Sequence, residues 1–169
     1  RDNIDEEGWL ENYECAFLDE STAYFTHKLL RDSSKDYNKN IEGKKFIGID
    51  IGRTNDLTSV ITLVQDEDNT YWLVDKTTFK NKAFQDQKCM IAEIIEKYQP
   101  EKVYADKGSV GYQLVEDLER DYKCVEGVTM TNDLKMEAFT NLKKQLELNK
   151  LWLPIDDSDL RDELHSIKR

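Results

Sequence analysis

Two short apolar runs in this chain each end on an aspartate: Lys44-Lys45-Phe46-Ile47-Gly48-Ile49-Asp50 and Lys102-Val103-Tyr104-Ala105-Asp106. An apolar stretch of this length bounded by turn-formers predicts a buried strand, and its interior is a costly place for an ionised carboxylate without a partner. A single aspartate at a strand end is as readily explained as the cap of the loop or helix that follows. Two of them, each followed by a glycine-containing turn, point instead to a shared metal site.

Of the 169 residues, 38% are hydrophobic, which supports one core of ordinary size plus an appendage. A net charge of −11, from 35 acidic against 24 basic residues, excludes a protein whose whole surface grips nucleic acid, because phosphate neutralisation supplies most non-specific affinity. Any such contact must be local. Cys15, Cys89 and Cys124 are odd in number, widely spaced and set among apolar neighbours, as expected of reduced packing residues in a cytoplasmic protein. His27 and His165 are too isolated in the sequence to suggest a metal cluster. No stretch approaches the roughly eighteen apolar residues of a membrane span and no signal-peptide pattern opens the chain, so a soluble protein that is not exported is expected.

The first forty residues carry Trp9, Tyr13, Phe17, Tyr24 and Phe25 among acids and end in the polar stretch from Arg31 to Asn40. Residues 1–43 are therefore expected to form an approach segment and linker, and 44–169 the folded domain. After the first strand, Val60, Thr62 and Val64 alternate with Ser59, Ile61 and Leu63, and Asp66-Glu67-Asp68-Asn69 predicts a hairpin turn into a strand over 71–79. Periodicity then changes. Phe84, Ile91, Ile94, Ile95 and Tyr98 share one helical face, and Pro100 stops that helix before the Asp106 strand. Val110, Leu114 and Leu118 predict a second helix, 124–130 a strand, and Phe139, Leu142 and Leu146 a third helix capped near Thr131, Asn132 or Asp133. A short strand at 151–153 and a helix striped by Leu160, Leu164 and Ile167 close the chain.

This βββαβαβα order, with aspartates ending its first and fourth strands, resembles the ribonuclease H-like nuclease and integrase superfamily. The resemblance implies an α/β fold: a mixed sheet of three antiparallel strands followed by βα crossover units, with helices on both faces. It also implies that the first and fourth strands lie side by side, bringing Asp50 and Asp106 together. Two divalent ions held there, Mg2+ or Mn2+, would activate water on one side of a phosphodiester and stabilise the leaving oxygen on the other. Carboxylate oxygens suit such hard ions.

The match narrows further. The stretches from Tyr13 to Ala23, from Gly48 to Thr58 and from Asp106 to Gly111, then Val125-Glu126-Gly127-Val128-Thr129, Thr131-Asn132 and Lys135, resemble the C-terminal half of a bacteriophage terminase large subunit, most like the Mu-like phage group. Such proteins pair a packaging ATPase with a nuclease that cuts concatemeric double-stranded DNA in the cytoplasm of the bacterial host. No Gly-x-x-x-x-Gly-Lys-Ser/Thr loop occurs, so the chain is expected to hold only the nuclease half, partnered by that ATPase domain, a small terminase subunit and the portal.

The resemblance assigns Asp50 as the metal-bridging carboxylate and Asp106 as the second ligand, and adds Asp56 as a third catalytic candidate near the metals, alternatively a turn residue before the second strand. Arg53, Lys107 and Lys135 are candidates for contact with DNA; Lys107 alternatively only offsets the local negative field, and Arg53 and Lys135 are alternatively solvated. The family's third acidic ligand, in a segment of the form His/Ala-Asp-x-x-x-Ala, has no counterpart before Arg169. Asp157, Asp159 and Asp162 read as helix-start charges favoured by the macrodipole. A domain truncated at its C-terminus, weak or inactive as a nuclease, is the expectation. Two other readings stay open. Asp50-Ile51-Gly52-Arg53-Thr54 also resembles the first phosphate loop of actin-like and sugar-kinase ATPases, and the aromatic-rich start fits a non-catalytic phage assembly module.

Overall fold

The computed structural model describes residues 22–52, 56–108 and 111–168. Trp9, Tyr13, Phe17, Cys15, Arg53 and Val110 lie outside the described residues. In chain order the elements are α1 (His27–Asp32), β1 (Ser34–Lys35), β2 (Lys44–Asp50), β3 (Thr58–Gln65), β4 (Tyr71–Phe79), α2 (Phe84–Tyr98), β5 (Lys102–Asp106), α3 (Tyr112–Asp121), β6 (Val125–Val128), α4 (Asn132–Glu147), β7 (Leu151–Pro154) and α5 (Ser158–His165). They fall into two compact units, one over Tyr37–Trp152 and a smaller one joining the residues up to Asp36 with those from Leu153 onward.

The larger unit is built on a mixed sheet. The meander β2-β3-β4 is antiparallel, β5 and β6 add in parallel beside β2, and Leu151 and Trp152 of β7 pair in parallel with Tyr71 and Trp72 of β4. This is the expected α/β arrangement. Period-two burial holds along β3, where Thr58, Val60, Thr62 and Val64 are buried and the alternate residues half-buried. At the hairpin the Asp66 carboxylate accepts hydrogen bonds from the Asp68 and Thr70 N–H groups, each at 2.9 Å, and from the Trp72 indole at 2.7 Å. Asn69, at φ 56°, takes the left-handed turn position that asparagine tolerates.

Ile47, Ile49, Val60, Val103 and Ala105 point to one face of that sheet and meet Ile91 and Ile95 of α2 and Leu114, Val115 and Leu118 of α3. Each fully buried aliphatic side chain of this kind is worth about 1.5–3 kcal/mol, so this face carries most of the unit's cohesion. Gln99, left-handed at φ 46°, ends α2 by donating its N–H to the Ile95 carbonyl, just before Pro100. The opposite face, reached by Gly48, Asp50, Tyr104 and Asp106, looks toward the start of α4, whose one buried residue is Leu146. Thr131 caps α4 by accepting the Leu134 N–H at 3.2 Å.

The smaller unit departs from the sequence expectation. The polar stretch assigned to a linker contains the end of α1 and all of β1, which pairs in parallel with Leu153 and Pro154. Two-residue polar strands have no periodicity to read; tertiary pairing makes them. His27 and His165, remote in sequence, stack with ring centroids 3.5 Å apart. The buried ring of His165 approaches the Phe25 carbonyl at 3.0 Å; a carbonyl only accepts, so Nδ1 carries the proton. Of the expected stripe, Leu160 and Leu164 are half-buried on α5, Ile167 lies past its end, and His165 is the residue turned fully inward. Among the described residues no helix is long and apolar enough to cross a membrane.

Candidate functional site

Register places the two aspartates. Ile47 pairs with Val103 and Ile49 with Ala105 across the parallel β2–β5 ladder, so Asp50 and Asp106 are the next residues on neighbouring strands, about 4.8 Å apart in the pairing direction. Because side chains alternate, both leave the sheet on the face opposite the apolar core. Ser59 of β3 is the residue opposite Asp50 on its other side. The aspartates share a groove of about 610 Å³, floored by the sheet and walled by Tyr104, Met130, Leu134 and Lys135. At Gly48 a Cβ would meet nothing within 4 Å, so the floor between the strands is open.

The electrostatics of this pair are adverse in the absence of a cation. Partial burial, and next the charge of Asp106, hold the Asp50 carboxyl above its ordinary value, while Lys135 pulls the other way. The Asp106 carboxylate accepts the Gly108 N–H at 3.1 Å, which fixes its rotation at the turn after β5. A divalent cation held by these carboxylates would offset the Asp106 repulsion that adds to burial in raising Asp50, and both side chains offer oxygen donors, so the residues present fit a hard metal ion. Among the described residues no three side chains of His, Cys, Asp or Glu come together as a metal-holding group. Asp157 of the smaller unit caps α5 by accepting the Leu160 N–H at 3.0 Å, and Asp159 lies in the first turn.

The remaining sequence candidates divide. Lys135 lines the same groove and is coupled to Asp50. Lys107, next to Asp106, is turned onto α3: its ammonium lies 2.8 Å from Glu119 and 5.0 Å from the centre of the Tyr112 ring. The Glu119 hydrogen bond raises Lys107 above its usual value. Glu119 in turn accepts the Gly127 N–H at 2.7 Å, and a Cβ at Gly127 would come within 2.8 Å of the lysine stem, so only glycine leaves this path clear. Asp56 is exposed at the approach to β3 and is not part of the groove lining. Arg53 lies outside the described residues.

Sequence reasoning missed Thr58 and Gln87, which are 1% and 2% exposed and hydrogen-bonded to each other at 2.8 Å behind the Asp50 strand end. One signal was available. The α2 stripe needs a member between Phe84 and Ile91, and the slot is filled by a glutamine.

Comparison with known proteins agrees with this architecture. Residues 47–168 match the family model described as a terminase RNaseH-like domain. The large terminase nuclease from thermophilic phage G20c with bound magnesium superposes with a TM-score of 0.70 at 19% identity, covering 87% of this chain and 81% of that one. The manganese-bound nuclease domain of the bacteriophage SPP1 large terminase gives 0.58 at 15% identity, with 82% and 80% covered. The HK97 bacteriophage large terminase gives 0.63 at 12% identity over 78% of this chain, which spans 34% of that longer protein. No curated protein matches.

Proposed function

The chain belongs to the terminase RNaseH-like domain family, and from that premise we propose that it is the divalent-metal-dependent endonuclease domain of a phage DNA-packaging terminase. Membership replaces the actin-like ATPase reading. The observation that carries the proposal is the convergence of Asp50 and Asp106 on one face of adjacent parallel strands, in a groove that also holds Lys135.

In this reading Asp50 and Asp106 would hold magnesium or manganese, which would supply positive charge and acidify a water for attack on a phosphodiester of double-stranded DNA. The chain's own groups do the positioning. Gly108 fixes the Asp106 carboxylate through its N–H, and Lys135 offers its ammonium to a phosphate oxygen while moderating the repulsion at Asp50. Lys107 is committed to Glu119, which offsets its charge and holds it on α3 rather than offering it to a phosphate. Asp56 and Arg53 remain candidates on the family resemblance alone. Among the described residues two carboxylates line the groove; they would hold a second ion weakly, so activity would call for high metal concentration and favour manganese over magnesium. The ATPase domain, small subunit and portal of a terminase, in the cytoplasm of a bacterial host, are the partners that fit. At a net charge of −11, DNA affinity is weak.

Supercoiled-plasmid nicking tests this. Slow nicking in manganese, slower in magnesium and absent in Asp50→Asn, is expected. Nicking that survives in the Asp50→Asn, Asp106→Asn double variant would remove these residues from the chemistry.

A further inference from the structure

Behind Asp50, on the core side of the sheet, runs a buried chain of polar groups. Past the end of β2 the backbone continues through Ile51 and Gly52, both buried. The Gly52 N–H lies beyond the last residue of the ladder, and it donates to the Thr58 hydroxyl at 2.9 Å. That hydroxyl donates to Gln87 Oε1 at 2.8 Å, and Gln87 Nε2 donates to the Lys82 carbonyl at 3.0 Å and reaches the Gly52 carbonyl at 3.5 Å.

The chain runs in one sense only. With the Gln87 amide reversed, its oxygen would face two carbonyls and the Thr58 proton would have no acceptor. Burying three polar groups this deeply costs free energy unless each is paired, and each is. Gly52 also has no room for a side chain: a Cβ there would sit 2.5 Å from the Leu57 carbonyl oxygen. Gly52 is therefore gripped from β3 by Thr58 and from the first turn of α2 by Gln87, two residues beyond the carboxylate that faces the groove.

We propose that Thr58 and Gln87 are positioning residues for Asp50: they lock the backbone leaving β2 and so set the direction in which the Asp50 carboxylate meets a divalent cation. This rests on the metal-site reading of Asp50 and Asp106. Groups that orient a ligand from behind typically carry about 10–100-fold in metal affinity. Thr58→Val keeps the shape and deletes the hydroxyl; Gln87→Met keeps the length and deletes both hydrogen-bonding functions; Thr58→Ser restores the hydroxyl alone.

Manganese binding by titration calorimetry, well below each variant's melting midpoint, is expected to weaken about tenfold or more in Thr58→Val and Gln87→Met and to stay within about threefold of the parent in Thr58→Ser. Amide spectra and hydrogen exchange of the metal-free proteins form the second arm. Gly52 exchanges faster and the Asp50 resonance moves in the two deleting variants, and neither changes in Thr58→Ser. Parental manganese affinity in Thr58→Val and Gln87→Met, with lowered melting midpoints alone, would overturn the proposal. So would loss of affinity in Thr58→Ser equal to that in Thr58→Val. A parent that binds no manganese counts against the metal site itself, and the relay is then judged on the metal-free arm: unmoved Asp50 and Gly52 signals overturn it. If one deleting variant does not fold, the other carries both readouts.

Discussion

Asp50 and Asp66 lie in the same three-stranded meander and have opposite surroundings. At the hairpin, burial pushes Asp66 up, yet the Trp72 indole and the Thr70 and Asp68 N–H groups together bring its carboxyl below the ordinary range. At the end of β2, burial and then the negative charge of Asp106 both push in the same direction, and Asp50 is held high. One carboxylate is supplied with donors and closes a turn. The other faces a second carboxylate and an open groove, an arrangement that becomes favourable when a cation enters. A perturbed acid in a cleft is a functional candidate only when its perturbation serves no structural end, and the contrast with Asp66 makes that distinction within one sheet.

The contrast is broken most severely by exchanging the consequences of substitution. Asp50→Asn is expected to lower manganese-dependent plasmid nicking by more than about 100-fold, beyond the range of changes behind a ligand, while Asp66→Ala leaves nicking per folded molecule unchanged. Stability should follow the reverse order. Asp66→Ala removes the acceptor of two part-buried N–H donors, those of Thr70 and Trp72, and is expected to cost about 1–3 kcal/mol in chemical denaturation, whereas metal-free Asp50→Asn is as stable as the parent or more so.

Acid separates them with opposite signs. Asp66, lowered in the folded state, contributes stability above the unfolded-state value near 3.9, and that contribution is lost as pH falls through its folded value. Asp50, raised in the folded state, disfavours the metal-free fold at neutral pH, and this cost fades as pH falls from its folded value toward 3.9. Melting curves in chelator should show the Asp50→Asn advantage and the Asp66→Asn penalty both shrinking on acidification. The smallest effect concerns the floor between the strands: Gly48→Ala meets open space and has no left-handed backbone to strain, so it is expected to stabilise by about 0.4–1 kcal/mol.

Much of the larger unit was legible because its signals are local. The runs ending in Asp50 and Asp106, the alternation over 58–64 and the acidic turn at 66–69 each specify an element without reference to the rest of the chain. That the strands ending in Asp50 and Asp106 lie side by side was expected from the resemblance of their order to the ribonuclease H-like superfamily, and the β2–β5 ladder has them so. The features that escaped the sequence depend on contacts between remote residues. Ser34 and Lys35 become a strand through Leu153 and Pro154, and His27 stacks on His165 from the other end of the chain. Thr58 fits a strand pattern wherever it occurs, and Gln87 interrupts an apolar stripe without indicating its partner. The commitment of Lys107 to Glu119 likewise needed the fold, since β5 and α3 must be packed before the two charges face each other.

Whether Asp50 and Asp106 share a divalent cation can be read directly by calorimetric titration of manganese into the parent, Asp50→Asn, Asp106→Asn and the double variant. Saturable binding by the parent is expected, with strong weakening in each single variant and none at the same concentrations in the double variant. A manganese-induced rise in the melting midpoint should disappear in the same order. A double variant that binds manganese as tightly as the parent would contradict the shared site.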